Sequence, residues 1–197
     1  SRIFAEVSQL GAELKRLTEV VGSRVQAQVG LLFSYENVWA LEIDSKPAQI
    51  DAMSAILPWH DALVQQNIPV DIVHPDSEFA AYRVLVAPLL YQLTPSQAEK
   101  LRQFVRDGGT LIVTYFSGIT DLRDHIWTGG YPALLHDVLG MKVEEWQPLL
   151  PNETVEIIDQ TGQRTQGQHW VDLLHPTTAE ILAYYMGGFI DQRAAIT

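Results

Sequence analysis

Apolar residues near the start of the chain recur at the spacing of a one-sided helix. Three-and-four spacing places side chains on one face of an α-helix, and glycine commonly follows a helix end. The apolar positions are Ile3, Val7, Leu10, Leu14, Leu17 and Val21, with Gly22 after them. We therefore predict a leading helix over residues 1–22, whose apolar face packs against, or links to, a preceding domain.

Four short apolar runs follow along the chain, at residues 25–34, 70–73, 83–87 and 110–114. They are rich in β-branched and other apolar side chains, and several have no polar alternation. Such runs are typical of strands that are covered on both faces. We therefore predict four strands of a buried sheet.

Stretches with helical spacing separate these strands. Between residues 49 and 66 apolar positions recur helically, although Pro58 lacks an amide donor and should kink or split the helix. A second helix should begin at residues 94–97, because Thr-Pro-Ser-Gln combines an N-cap, a first-turn proline and a glutamine three residues after the cap. Gly108 and Gly109 should end that helix before the fourth strand.

This alternation of strand and helix predicts an α/β fold with a doubly wound, mainly parallel sheet, flavodoxin-like or class I glutamine amidotransferase-like. We assign its core to residues 25–140. Beyond residue 140 shorter strand-like pieces occur at 141–146, 154–158 and 169–174, separated by turn residues. We expect residues 141–197 to add edge strands to the same sheet and an exit segment, so that residues 1–197 form a single domain.

Composition and net charge argue against several classes of function for this chain. Hydrophobic residues make up 47% and charged residues 19% of the 197 residues, as in an ordinary globular protein. The formal net charge of -11 argues against binding to nucleic acid, since phosphate backbones are neutralised by Lys and Arg. The absence of cysteine excludes disulfides, thiolate metal sites and cysteine nucleophiles. We find no membrane-spanning run or signal sequence, and we expect a cytoplasmic bacterial protein without a membrane partner.

Aromatic and polar residues cluster after the first and fourth predicted strands. In open α/β sheets ligands bind beyond the carboxyl ends of the strands. Aromatic rings mixed with carboxylates and an amide suit recognition of a sugar or a protein, although they can also simply close the top of the core. The candidates are Tyr35, Glu36, Asn37, Trp39 and Glu42 after the first strand, and Tyr115, Phe116, Asp121 and His125 after the fourth.

Ser117 is the one candidate nucleophile, because amidotransferase-like folds place a nucleophile on the turn after a sheet strand. His125 or His136 would be its base, and Asp121 or Asp124 would orient that base. The residues before the serine are aromatic, however, whereas a strained nucleophile turn needs glycine there. Ordinary turn chemistry is the simpler interpretation.

Other catalytic and cofactor patterns are weak. Glu36 with Glu42, or Glu144 with Glu145, could be glycosidase acids, but adjacent residues of a strand point to opposite faces. No phosphate-binding glycine loop follows a strand, and the six histidines show no paired spacing for a metal. We therefore expect no cofactor and no metal.

The chain resembles the middle domain of glycoside hydrolase family 42 β-galactosidases. The matching stretches run in the family's order across nearly the whole chain, although Ser34 and Val38 depart from the family's pattern of an acid and a second tryptophan. They are residues 29–42, 68–75, 85–90, 108–118, 129–132 and 138–145.

The resemblance implies that this is a non-catalytic trimerisation domain of an enzyme that hydrolyses terminal β-D-galactosides. A catalytic (β/α)₈ barrel that carries the catalytic glutamates would precede it, and a small β domain would follow. The full-length enzyme would be a homotrimer, in which this domain contacts the barrels of neighbouring subunits. The domain would contact the galactoside only indirectly. The candidates after the two strands would then face a neighbouring subunit and wall its active-site entrance. The alternatives are a stand-alone amidotransferase-like hydrolase that uses Ser117, and a small-molecule or sugar-binding module.

Overall fold

A computed structural model describes residues 1–43 and 50–197 of the chain. Its helices are α1 (Arg2–Leu14), α2 (Tyr35–Glu42), α3 (Ala52–Gln65), α4 (Pro95–Arg106) and α5 (His136–Leu139). Its strands are β1 (Val29–Leu32), β2 (Val70–Val73), β3 (Val84–Ala87), β4 (Thr110–Val113), β5 (Met141–Pro148), β6 (Thr154–Asp159), β7 (Arg164–Gln168), β8 (Trp170–Pro176), β9 (Ala183–Met186) and β10 (Ala194–Ile196).

The four predicted strands form one parallel sheet. Their order is β2-β1-β3-β4, and every neighbouring pair runs parallel. This order places β1 and β3 in the centre, where residues such as Leu31 and Leu85 have no exposed surface. The predicted α/β fold with a parallel sheet is therefore confirmed.

Helices cover both faces of this sheet. On one face α2 and α3 pack with β8 over a core that includes Leu31, Ile56 and Trp170. On the other face α4 contributes Leu101 and Phe104 to a second core. The central strands β1 and β3 are thus buried on both sides, which explains why they lack polar alternation.

Helix α4 begins and ends where its sequence predicts. Thr94 Oγ1 accepts from the backbone N–H of Gln97, and the Gln97 side chain accepts from the N–H of Thr94, which completes a capping box. Gly108 has a φ of 94°, in the left-handed region that favours glycine. At Gly109 a Cβ atom would come within 2.3 Å of the Phe104 ring, so any larger residue there would require that ring to move.

Helix α3 runs through Pro58 without interruption, so the prediction that this proline could split the helix is wrong. Asp51 accepts from the N–H of Met53 and caps the first turn. The start that we predicted at residue 49 lies outside the described residues. The leading helix is shorter than predicted, because α1 ends at Leu14 and a single turn of 3₁₀ helix precedes Gly22.

The strands after residue 140 do not extend the parallel sheet, and that prediction is wrong. They form an antiparallel sheet of order β10-β9-β6-β7 and a separate antiparallel pair, β5 with β8. Leu149, Val171, Tyr185 and Ile190 make a third, smaller core. Antiparallel strands need only short turns, and the turn at Gly162 joins β6 to β7.

Candidate interaction surface

Helix α2 exposes an aromatic stripe, which we call the α2 stripe: Tyr35 and Trp39. Their spacing of four places them on one side of the helix, which begins where Ser34 Oγ accepts from the N–H of Asn37 at 3.2 Å. The Tyr35 and Trp39 side chains are 64% and 61% exposed, and their rings stack with centroids 5.9 Å apart. Two stacked, exposed aromatic rings are a typical centre of a protein contact.

Helix α3, which packs beside α2, is also apolar on its outer side. Met53, Leu57 and Val64 are 41%, 49% and 50% exposed. We call the outer side of these two helices the α2–α3 layer. A soluble protein leaves large contiguous apolar patches exposed mainly where another molecule covers them.

The helix on the opposite face of the sheet has a charged outer side. Arg102 pairs with Glu99 at 2.7 Å and with Asp137 at 2.8 Å, and Arg106 also pairs with Glu99. The two arginines hold the pKa of Glu99 below its ordinary value. No large apolar side chain of α4 is exposed. The two helical layers of the domain therefore differ: the α4 side suits water, and the α2–α3 layer suits a protein partner.

Asn37 is a structural residue, and the prediction that it lies at an interface is wrong. It is only 6% exposed. Its side-chain amide donates to the carbonyl of Leu89 at 2.6 Å and accepts from the N–H of Gln92 at 2.9 Å. The Gln92 side chain in turn donates to Asp124 at 2.9 Å. Asn37 thus fixes the segment after β3, and through Gln92 it connects α2 to the loop that carries Asp121 and His125.

Phe116 is also wrongly predicted as an interface residue. It is 6% exposed, and its ring lies 4.7 Å from Trp170 and 5.1 Å from Tyr91. Tyr115, its neighbour, is partly buried and stacks on Trp170 at 6.3 Å. The first residue of β8, far along the chain, covers both rings, and no local pattern in the sequence indicates this contact.

The remaining candidates lie on the surface. Asp121 accepts backbone N–H groups of Arg123 and His125 and contacts the His125 ring at 3.1 Å. These hydrogen bonds, chiefly the one from the His125 backbone, lower the pKa of Asp121. Glu36 lies 3.8 Å from His74, and Glu42 is exposed at the end of α2. Asp121 and His125 therefore form a compact, polar turn beyond the sheet.

Ser117 is not arranged as a nucleophile. Its side chain is 5% exposed, and its hydroxyl oxygen accepts the N–H of Leu90 at 3.0 Å. His125, the candidate base, is largely exposed and contacts Asp121 instead. Within residues 1–43 and 50–197 no hydrogen bond joins this serine to a histidine. The serine fixes the backbone after β3.

Sequence reasoning missed a buried carboxylate behind the candidate rings. Asp172 accepts from Trp170 Nε1 at 2.8 Å, and burial raises its pKa to about 6 although this bond and the backbone N–H of Phe116 lower it. Burial, together with the nearby charge of Asp172, raises the pKa of Tyr185 to about 12. The sequence did carry one signal for this contact: Trp170 and Asp172 are two residues apart in a strand, and this spacing places both side chains on the same face.

A groove of about 840 Å³ lies between the start of α3 and the segment after β5. Tyr115 and Trp170 contribute to its wall, together with the polar residues Asp51, Glu153 and His169. The described part of the chain contains no group of three or more His, Asp or Glu side chains that could hold a metal ion. No helix in that part is long and apolar enough to cross a membrane.

Comparisons with known proteins agree on one family. Residues 27–197 match the family model described as the β-galactosidase trimerisation domain. The whole chain is 40% identical over 198 residues to β-galactosidase BgaB of Geobacillus sp. (strain Y412MC61) and 38% identical over 198 residues to β-galactosidase LacZ of Heyndrickxia coagulans. It spans 29% and 30% of the lengths of these two relatives.

Solved structures give the same result. The β-galactosidase of Bacillus circulans sp. alkalophilus superposes with a TM-score of 0.91 at 33% identity, over 98% of this chain and 30% of that one. Gan42B, a GH42 β-galactosidase, superposes with a TM-score of 0.89 at 29% identity, over 99% of this chain and 29% of that one. In each case the match covers less than a third of the larger protein.

Proposed function

Since this chain belongs to the family of β-galactosidase trimerisation domains found in glycoside hydrolase family 42, we propose that it assembles a longer β-galactosidase into a homotrimer. In this proposal the longer protein hydrolyses terminal β-D-galactosides with glutamates that lie in a (β/α)₈ barrel outside this chain. The chain itself is non-catalytic and meets the galactoside only indirectly. The relatives' names and their greater length support this division of labour.

The α2–α3 layer is the surface that we assign to the neighbouring subunit. The observation that carries the proposal is the exposed Tyr35–Trp39 pair on an apolar layer, opposite a charged one. A ring trimer uses a heterologous interface, in which one surface of each subunit meets a different surface of the next. The α2 stripe therefore contacts the barrel of the next subunit, and not the same stripe of another copy.

The loop that carries Asp121 and His125 supplies the polar rim of this contact. Asn37 and Gln92 connect that loop to α2 through hydrogen bonds of 2.9 Å, so the stripe and the loop are held in a fixed relation. Interfaces commonly place aromatic anchors at the centre and polar groups at the edge. A rigid rim of this kind can shape a pocket whose catalytic residues belong to another subunit.

Removing the Trp39 ring should weaken the trimer of the full-length enzyme. We expect Trp39→Ala to raise the dissociation constant of the trimer about tenfold or more, because central aromatic residues contribute about 2 kcal/mol or more at such contacts. Since the side chain is 61% exposed in the monomer, each subunit should stay folded. Sedimentation velocity over a concentration series measures the change, and galactoside kinetics report whether KM rises with it.

Gln103→Ala, on the outer side of α4, is the matched control and should leave assembly unchanged. An intact trimer with unchanged kinetics would contradict the assignment of Trp39 to the interface. Unfolding of the Trp39→Ala subunit, seen by circular dichroism, would equally contradict it, because the ring would then belong to the core.

The isolated chain should hydrolyse neither galactosides nor simple esters. The proposed catalytic glutamates lie outside it, and the Ser117 hydroxyl is buried against Leu90. Ser117→Ala should instead cost about 1 to 2 kcal/mol of stability, because the Leu90 N–H loses its acceptor. Chromogenic galactoside and ester assays, together with urea unfolding, test both statements. Ester turnover that Ser117→Ala abolishes would favour the amidotransferase-like hydrolase.

A further inference from the structure

The groove between the start of α3 and the segment after β5 has an aromatic wall. Tyr115 and Trp170 both line it, and their rings stack with centroids 6.3 Å apart and an interplanar angle of 19°. Trp170 is only 5% exposed, whereas Tyr115 is partly exposed. Tyr115 is therefore the ring that a molecule in the groove would contact, and Trp170 supports it from behind.

This aromatic wall is held in a fixed orientation. Trp170 Nε1 donates to the buried carboxylate of Asp172 at 2.8 Å. The Trp170 ring also lies 4.7 Å from the Phe116 ring and 6.2 Å from the Trp146 ring. Tyr115 thus stacks on a ring that cannot turn freely, and a preorganised surface binds a ligand with a smaller loss of conformational entropy.

Exposed polar side chains line much of the rest of the groove. They are Asp51, Ser54, Asn152, Glu153, Gln168 and His169. Carboxylate, hydroxyl, amide and imidazole groups together offer both donors and acceptors to the hydroxyl groups of a ligand. Among the described residues that line the groove none is Lys or Arg, and two are carboxylates. The groove therefore suits a neutral, hydroxyl-rich molecule better than an anion.

The two carboxylates of the groove are each held by one oxygen. Asp51 Oδ1 accepts the backbone N–H of Met53 at 3.0 Å, and Glu153 Oε2 accepts that of Leu150 at 2.8 Å. Within the part of the chain that the structure describes, no hydrogen bond reaches the second oxygen of either side chain. Each carboxylate is thus fixed in place and keeps an acceptor for a ligand hydroxyl.

We propose that this groove binds a short neutral oligosaccharide. Its volume of about 840 Å³ lies within the range of about 300 to 1,000 Å³ that is usual for small-ligand sites. A sugar ring has C–H groups on one face and hydroxyl groups at its edge. Tyr115 contacts the C–H face, and Asp51 and Glu153 accept from the hydroxyl groups. In the proposed function this chain meets the galactoside only indirectly, so direct saccharide binding goes beyond it and does not depend on trimer assembly.

A photoreactive disaccharide tests the groove in the full-length enzyme. The probe is thiodigalactoside that carries a diazirine, because it is neutral and its sulfur linkage resists hydrolysis. We expect label in the tryptic peptides 143–164 and 165–193, which contain the groove segments around Glu153 and His169. Ser54→Trp should lower this labelling about tenfold or more, because the indole occupies the groove from an exposed position of α3. Ser96→Trp, exposed in the first turn of α4, is the matched control and should label as the parent does.

The charge of the probe gives a second test. A diazirine-tagged digalacturonate should label the same peptides about tenfold less or weaker still, since its carboxylates meet those of Asp51 and Glu153. Equal labelling by the neutral and the anionic probe would overturn the proposal. Absence of label from both peptides of the parent, or equal labelling of the parent and Ser54→Trp, would also overturn it. Sedimentation and galactoside hydrolysis of the same preparations test the proposed function, so the two proposals can fail separately.

Discussion

Replacing Asn37 by leucine should cost about 3 kcal/mol of stability, with a range of roughly 2 to 5. Leucine has a similar shape, but it cannot accept from Gln92 N–H or donate to the Leu89 carbonyl. Both backbone groups would then be buried without a partner, and each such loss costs about 1 to 3 kcal/mol. Denaturant unfolding followed by circular dichroism measures the change in midpoint.

Glu42→Leu is the control for the Asn37→Leu variant, since Glu42 lies at the exposed end of the same helix and should change stability by only about 0.5 kcal/mol or less. Loss of Asn37 should also loosen the loop that carries Asp121 and His125, through Gln92. Unchanged stability of Asn37→Leu would mean that the two backbone groups find other partners, and that this network does not hold the loop.

Replacing Asp172 by asparagine should change how stability depends on pH. Burial raises the pKa of Asp172 from 3.8 in its ordinary state to about 6 in the folded chain. A raised pKa means that the fold favours the protonated carboxyl. The contribution of Asp172 to the free energy of unfolding is therefore fully present below about pH 4 and is lost as the pH rises through about 6.

Asparagine does not titrate, so the Asp172→Asn variant should gain about 2 to 3 kcal/mol relative to the parent between pH 4 and pH 8. The groups that face this carboxyl are Tyr115 and Tyr185, and both remain neutral over this range because their pKa values are raised. Urea unfolding of both proteins at several pH values measures the difference. A constant difference across this range would show that the carboxyl stays solvated.

Asp159 provides a control of opposite sign. Its carboxylate accepts hydrogen bonds from Thr161 and Gln163, and these bonds lower its pKa. The contribution of Asp159 to the free energy of unfolding is present at neutral pH and is lost as the pH falls. Asp159→Asn should therefore lose stability relative to the parent at high pH, whereas Asp172→Asn gains it.

Local sequence signals were sufficient to predict most of the part of the fold that contains the parallel sheet. Helix α4 could be placed because its cap, its proline and its glycines each have one strong local preference. The central strands could be placed because burial on both faces leaves an unbroken apolar run. Helix α2 could not be predicted, because its exposed side carries Tyr35 and Trp39 and its buried side carries Asn37, which reverses the usual pattern.

The arrangement of the antiparallel strands β5 to β10 depends on pairing between distant segments, which no local pattern in the sequence indicates. Strand β7 is polar and mostly exposed, and it is a strand only because β6 pairs with it. Trp170 covers Phe116 and Tyr115 from β8, so the surface candidate Phe116 is a core residue and Tyr115 is partly buried. The placement of Trp39 on the surface was predictable from its position after β1, but its stacking on Tyr35 required the helix to be known.

The charged outer side of α4 offers a site for a spectroscopic label. The chain contains no cysteine, so a cysteine introduced at Gln103 would be its single reactive thiol. A maleimide fluorophore there would lie on the opposite side of the sheet from the α2 stripe, clear of the contact that it reports. Energy transfer between donor-labelled and acceptor-labelled copies would then follow subunit exchange in real time, without a probe inside the interface.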